Sequence, residues 1–148
     1  MNVSNIENLK QYKHIHLIGI GGISMSAIAE VLHNLGIFVT GSDCNRSKIT
    51  DKLASHGIYV SIGHNTNLVE KYDFVIYSAA IKQDDPEIIC AKTNNIPIVE
   101  RADFVGFLTR IYDNTIGIAG THGKTTTTSM IALCFIEAKL DPNVQVGA

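Results

Sequence analysis

Short apolar runs alternate along this chain with longer stretches in which apolar residues recur every three or four positions, the pattern of parallel strands joined by crossover helices. The first run, 14–18, ends at the glycines of Gly19-Ile20-Gly21-Gly22. Ile23, Ala27, Val31 and Leu35 then recur at helical spacing until Gly36 offers a terminator. Residues 37–40 predict a second strand closed by Gly41-Ser42-Asp43, and Ser47 can cap a helix that reaches about His56 before Gly57 stops it. A third strand is expected at 58–61 and a fourth at 74–77, entered after Asp73. Asp84-Asp85-Pro86-Glu87 put acids and a proline where a helix begins, and that helix should end near Asn94. Residues 96–99 predict a short fifth strand, and 102–110 a helix with Phe104, Phe107 and Leu108 on one face.

After Tyr112-Asp113-Asn114 the same grammar restarts, with a strand at 115–119, a glycine loop and a helix to about Lys139. The reading is an α/β chain: a Rossmann-like parallel-sheet domain over 1–113, then, over 114–148, the first strand, P-loop and helix of a second α/β nucleotide-binding domain. A length of 148 residues allows one ordinary core plus the start of another, so the second domain is expected to be incomplete. Neither a repeat at solenoid period nor a low-complexity tract interrupts this order.

Composition narrows the function class. With 45% hydrophobic and 18% charged residues and a net charge of −2, the chain reads as soluble and globular, with no electrostatic footprint for nucleic acid. The opening MNVSNIENLKQYK lacks the basic-then-apolar order of a secretory signal, and no apolar run approaches a membrane span, so a cytoplasmic protein without membrane contact is expected. Cys44, Cys90 and Cys134 are too scattered for a zinc site or a disulfide framework and are read as free thiols.

The strongest chemical signal is Gly120-Thr121-His122-Gly123-Lys124-Thr125, followed by Thr126. A loop between strand and helix wraps phosphate with backbone N–H groups, and the helix N-terminus adds positive potential. Lys124 would reach the β- and γ-phosphates and the Thr125 hydroxyl would coordinate Mg²⁺. The G-x-x-x-x-G-K-[ST] spacing asks for glycine at Ile118, whereas glycine stands at 117. A lysine in the first turn opposes the helix dipole unless an anion sits there, which favours phosphate over a plain turn. His122 is read either as a substrate contact or as a solvent-facing loop residue.

The earlier loop, Gly19-Ile20-Gly21-Gly22-Ile23-Ser24, approximates G-x-G-x-x-G with Ser24 in the third place. Asp43 lies 22 residues beyond Gly21, where a carboxylate that reads ribose is expected. That arrangement fixes a diphosphate without fixing a nicotinamide. A tight turn without ligand, a nicotinamide-dependent oxidoreductase and a non-catalytic nucleotide-sugar-binding module all remain open at this point. Ser78-Ala79-Ala80 puts small residues at the end of the fourth strand, where a ligand could approach the backbone or where small residues simply pack. His64, just after Gly63, is the one histidine in a site-like position; His14, His16, His33 and His56 show no ligand spacing. Asp73, Asp84, Asp85 and Glu87 read as strand-entry and helix-start acids.

Two different nucleotide loops about a hundred residues apart, GIGGISMSAIAEVL and GIAGTHGKTTTTSM, with GSD and SAAIKQDDPEI between them, resemble the Mur ligase family over nearly the whole chain, 14–148. That family uses the shorter G-T-x-G-K-[ST] loop, which accommodates Ile118. Its first glycine loop usually continues with glycines where this chain has Ser24 and Ala27.

The resemblance implies a UDP-sugar on the first domain, held by Gly19 to Ser24 at the diphosphate, with Ser42 and Asp43 at the uridine and His64, Ser78, Ala79 and Ala80 lining the same crevice. It implies ATP and Mg²⁺ on Gly120, Thr121, His122, Gly123, Lys124, Thr125 and Thr126, with Lys124 as the catalytic residue and Thr125 as the metal ligand. The implied reaction is ATP-dependent amide formation in peptidoglycan precursor synthesis. SAAIKQDDPEI fits the alanine-adding members better than the murein-peptide recycling members, so the implied small-molecule substrates are UDP-N-acetylmuramate and L-alanine. The 148-residue chain is expected to be an inactive amino-terminal fragment, with self-association through its second unit as a possibility.

Overall fold

The computed structural model describes residues 9–66 and 71–146. They divide into two compact units, 1–111 and 112–148. In the first unit a 3-10 turn at Leu9–Gln11 leads into β1 (His14–Ile18), α1 (Ile23–Asn34), β2 (Phe38–Asp43), α2 (Lys48–Ser55), β3 (Tyr59–Ile62), β4 (Phe74–Tyr77), α3 (Pro86–Thr93), β5 (Ile98–Glu100) and α4 (Arg101–Ile111). The strands form one sheet in the order β3-β2-β1-β4-β5, every pair parallel.

Both faces of this sheet are covered, which is why its central strands read as continuous apolar runs rather than as alternation. Ile15 and Leu17 of β1 join Phe74 and Ile76 of β4 in one core with Met25, Ile28 and Leu32 of α1, Leu53 of α2 and Phe104 of α4. On the other face, Ile18 and Val75 pack with Ile88 and Ala91 of α3. His16 also points to that second face and is fully buried, so the sheet carries a polar side chain at its centre.

The helix boundaries follow from capping chemistry. Ser47 makes a capping box with Thr50: Thr50 N donates to Ser47 Oγ at 3.2 Å, and Ser47 N donates to Thr50 Oγ1 at 2.8 Å. Asp85 caps α3 by accepting from Glu87 N, with Pro86 at the first helical position. Three helices end in the same device, a Schellman motif whose left-handed residue is Gly36, Gly57 or Asn95. In each, the following isoleucine donates its N–H five residues back: Ile37 to Leu32 O, Ile58 to Leu53 O and Ile96 to Ala91 O.

These isoleucines account for one systematic difference from the sequence expectation. Strands expected to start at Ile37, Ile58 and Ile96 start instead at Phe38, Tyr59 and Ile98, because the isoleucine belongs to the helix stop. A second difference lies in Gly41-Ser42-Asp43, expected as a closing turn and found as the last half of β2, paired with both β1 and β3. Gly41 is there for packing: a Cβ would lie 2.5 Å from Ile20 Cδ1 and 2.7 Å from Leu17 O.

The second unit holds α5 (Lys124–Glu137) preceded by extended and bend residues. The strand expected at 115–119 is absent among the described residues, since a strand exists only with a ladder partner and this run has none here. Gly123 opens α5 in the left-handed conformation at φ 77°. The helix ends as the others do, with Lys139 left-handed at φ 59° and Leu140 N donating to Phe135 O. No residue of α5 is buried.

Candidate functional site

In a doubly wound sheet the chain leaves β1 in one direction for β2 and returns to its other side for β4, and the two crossovers part at the carboxyl ends of these strands. A crevice of about 240 Å³ opens there. Ile18, Gly19 and Gly22 line it from β1 and its loop, Ser42, Asp43 and Cys44 from β2, Gly63 and His64 from the end of β3, Ser78, Ala80 and Ile81 from β4, and Asp85 and Glu87 from α3.

The glycine loop is clamped onto the end of β2. Gly19 N and Ile20 N both donate to Ser42 O, at 2.8 and 3.0 Å. Gly21 N donates to Asp43 Oδ2 at 2.9 Å, and the other carboxylate oxygen takes Asn45 N at 3.1 Å. A Cβ on Gly21 would stand 2.8 Å from Asp43 Oδ2 and 3.1 Å from Thr50 Cγ2. Glycine is therefore needed at 21 to let the loop lie against Asp43, which braces it. α1 begins at Gly22 with no side-chain cap and no acid in its first turn, so its leading N–H groups keep the capacity to bind an anion.

The floor of the crevice is built around Glu87, which is 1% exposed. Ser42 Oγ donates to Glu87 Oε2 at 2.6 Å. Asn65 N donates to Oε1 at 3.0 Å, and His16 Nε2 lies 3.3 Å from the same oxygen. Burial alone would raise the Glu87 carboxyl, but hydrogen bonds from His16, Ser42 and Asn65 outweigh it and hold the group below its ordinary value of 4.5. His16 is fixed in turn by Thr40 Oγ1, 2.9 Å from Nδ1, and by the Tyr72 ring stacked at 4.8 Å. At the rim, His64 Nδ1 lies 3.4 Å from Asp85 Oδ2 and 3.8 Å from Glu87 Oε2. These three ligand-type atoms fall within 4.8 Å of one another, yet both Glu87 oxygens already accept hydrogen bonds, so the cluster is a charge network rather than an open coordination sphere.

Of the residues singled out from the sequence, Gly19, Gly22, Ser42, Asp43, His64, Ser78 and Ala80 come together in this crevice. Ile20 is buried beneath the loop, Gly21 faces Asp43, Ile23 and Ala79 are exposed, and Ser24 accepts a hydrogen bond from Arg101 Nη1 at 3.0 Å. Glu87 was read as a helix-start acid; it does sit in the first turn of α3, but its carboxylate is turned into the crevice floor. His16 was set aside for lack of spacing. A signal was available, because a histidine inside the run His14–Ile18 of a central strand has to find buried partners.

In the second unit, Gly120, Thr121, His122, Gly123, Lys124, Thr125 and Thr126 occupy a loop and the first turn of α5, all exposed. Lys124 Nζ folds back to donate to Gly120 O at 2.7 Å and to Thr121 O at 3.5 Å.

A family model described as Mur ligase family, catalytic domain, matches residues 14–112. The protein named UDP-N-acetylmuramate--L-alanine ligase in Acetivibrio thermocellus is 46% identical over 147 residues, covering 99% of this chain and 31% of that protein. Its namesake in Lachnoclostridium phytofermentans is 50% identical over 135 residues, covering 90% and 29%. Among solved structures, UDP-N-acetylmuramate-alanine ligase from Thermotoga maritima superposes with a TM-score of 0.80 at 35% identity, over 86% of this chain and 30% of that one. The murein-peptide ligase from Neisseria meningitides gives 0.79 at 30% identity, over 88% and 41%. The chain thus spans about 30% of the length of the curated relatives it matches. With its parallel sheet and glycine-loop crevice matched to that family model over two thirds of its residues, the chain belongs to the Mur ligase family.

Proposed function

We propose that this chain is the UDP-sugar-binding part, with the first elements of the ATP-binding part, of a UDP-N-acetylmuramate:L-alanine ligase. The observation that carries the reading is the pairing of 46–51% identity to curated proteins of that name with a crevice whose glycine loop leads into an uncapped helix N-terminus. Among the solved structures, identity is 35% to the alanine ligase and 30–31% to the murein-peptide ligases, which favours the alanine-adding reading over the recycling one by a narrow margin.

In this reading the UDP diphosphate lies against Gly19 and Gly22 at the start of α1, and the nucleoside extends over Ser42 toward His64. Asp43 serves the diphosphate indirectly by holding Gly21. The units 1–113 and 114–148 then divide the work between UDP-sugar and ATP. In the second unit, a left-handed Gly123, a first turn without acids and an exposed lysine suit a phosphate chain. Gly120 to Thr126 would hold ATP, and Mg²⁺ held with Thr125 would supply neutralising charge at the phosphates.

The whole reaction balances as follows. The lactyl carboxylate of UDP-N-acetylmuramate takes the γ-phosphoryl group of ATP, releasing ADP, and the L-alanine amine then displaces phosphate from the acyl phosphate and loses a proton. Lys124 stabilises charge on the moving phosphoryl group. The 148-residue chain by itself is expected to be inactive. α5 exposes Met130, Leu133 and Ile136, so self-association of the chain is expected, and light scattering with and without residues 115–148 reads it.

The direct test is calorimetry of UDP and UDP-N-acetylmuramate on this chain and on Gly21→Val. The variant is expected to lose about tenfold or more in affinity, since its side chain displaces Asp43 and with it the loop. Unchanged affinity in a folded variant refutes the placement of the diphosphate.

A further inference from the structure

The hydrogen bonds under the crevice fix a polarity as well as a shape. A serine hydroxyl has one proton to donate and two lone pairs to offer. The Ser42 proton is committed to Glu87 Oε2 at 2.6 Å, both residues being at most 2% exposed. The other carboxylate oxygen is committed to Asn65 N and to His16 Nε2. An ionised carboxylate only accepts, so His16 donates from Nε2, while its Nδ1 lies 2.9 Å from Thr40 Oγ1. Ser42, Asn65 and His16 donate inward to Glu87, and among the described residues no buried side-chain nitrogen or oxygen lacks a partner, so reversing the Ser42 hydroxyl would set its lone pair against the carboxylate. Asp85 adds a further acceptor at the rim, its Oδ1 accepting from Glu87 N and its Oδ2 facing His64.

We propose that Glu87 is a positioning residue that holds Ser42 Oγ as a hydrogen-bond acceptor toward the crevice, so that the site selects its nucleotide by a donor group. The inference rests on the nucleotide-binding reading above and adds what the floor recognises. Ser42, Glu87 and Asp85 together present oxygen lone pairs, the wrong polarity for phosphate and the right one for the neutral, donating end of a nucleotide. The uridine moiety offers two such donors, the imide N–H of the base and the ribose hydroxyls. Cytosine has a lone pair where uracil has the imide proton, and a deoxyribose lacks a hydroxyl. Each defect leaves the Ser42 lone pair opposite another acceptor or opposite nothing, in a place where water is largely excluded.

The test compares affinities of UDP, CDP, 2′-deoxy-UDP and 3′-deoxy-UDP by calorimetry on this chain, on Glu87→Gln and on Ser42→Ala. The unmodified chain should prefer UDP by about tenfold or more over whichever analogue lacks the donor that is read. The CDP arm reports the base and the deoxy arms report the ribose. In Glu87→Gln the carboxamide donates to Ser42 and frees its hydroxyl to turn, so the preference should fall to within about threefold. Ser42→Ala removes the acceptor while leaving Glu87 its bonds to Asn65 and His16, and it should flatten the same ratio. The double variant should flatten it no further. A merely structural role for Glu87 would lower all four affinities together and leave their ratios in place. If the unmodified chain binds UDP and both variants keep its selectivity, the inference is overturned while the nucleotide site stands. If the unmodified chain binds no UDP, both are overturned.

Discussion

The chain contains two glycine loops that each follow an apolar run and open a helix, and they differ in what surrounds them. The first is held from three sides: Ser42 O takes two of its N–H groups, the Asp43 carboxylate takes a third, and α1 buries Met25, Ile28, Ala29 and Leu32 beneath it. The second follows a run without ladder partners and leads into a helix with no buried residue, while Lys124 bonds the carbonyls of its own loop. A phosphate loop is competent when a scaffold fixes its N–H groups in one direction, because a mobile loop loses ordering entropy on binding. Among the described residues only the first loop has such a scaffold.

The sharpest way to break this comparison is Lys124→Ala in a protein that extends beyond residue 148. Alanine-dependent phosphate release should fall by about 10²–10³-fold or more, while calorimetric affinity for UDP-N-acetylmuramate stays within about twofold. Joint loss of both in a folded variant would show that one site, not two, serves both nucleotides.

Asp43→Ala sharpens the comparison from the other side. Removing the acceptor of Gly21 N should weaken UDP binding by ~1–3 kcal/mol through a loosened loop, even if the carboxylate never meets ribose. Equal UDP affinity in the variant and the parent chain would mean that the loop needs no brace.

The smallest expected effect concerns acid stability. Because the folded Glu87 carboxyl lies below its ordinary value of 4.5, its ionised form stabilises the fold fully at neutral pH. That contribution is lost as pH falls below about 4.5 and through the folded value. Glu87→Gln should lower Tm at pH 7 and flatten its fall below pH 4.5. An unchanged slope would place the acid transition elsewhere.

Much of this was legible in the sequence because strong local signals agreed with the tertiary outcome. The run from His14 and the run from Phe74 were read at their observed limits, since both strands are buried on both faces and bounded by charge or glycine. Ser47 and the Asp85-Pro86 pair announced their helices through capping chemistry. The misplaced strand starts share one cause: an isoleucine that closes a helix and one that opens a strand look alike in a linear pattern. The strand expected at 115–119 failed for another reason, since periodicity specifies a segment but not the neighbour it pairs with. In the crevice, the glycines, Ser42, Asp43 and His64 could be picked out because loops advertise themselves. Glu87 could not, because an acid in the first turn of a helix has an ordinary explanation, and only the packing of α3 against Ile18 and Val75 on the second face of the sheet turns it inward toward His16 and Ser42.

The repeated helix stop also separates two demands on the sheet. Gly36, Gly57 and Asn95 all sit where the chain turns from a helix into the amino end of the next strand, whereas the crevice lies at the carboxyl ends. Register is thus set at one rim, by backbone bonds that any well-placed left-handed residue can make, and ligand chemistry is written at the other. Substitutions that alter which nucleotide the crevice accepts can therefore accumulate without shifting a strand. Asn95, and likewise Lys139 after α5, carries a left-handed cost of roughly 1 kcal/mol that glycine would not, so the first rim retains unused stability that a change at the second rim could draw upon.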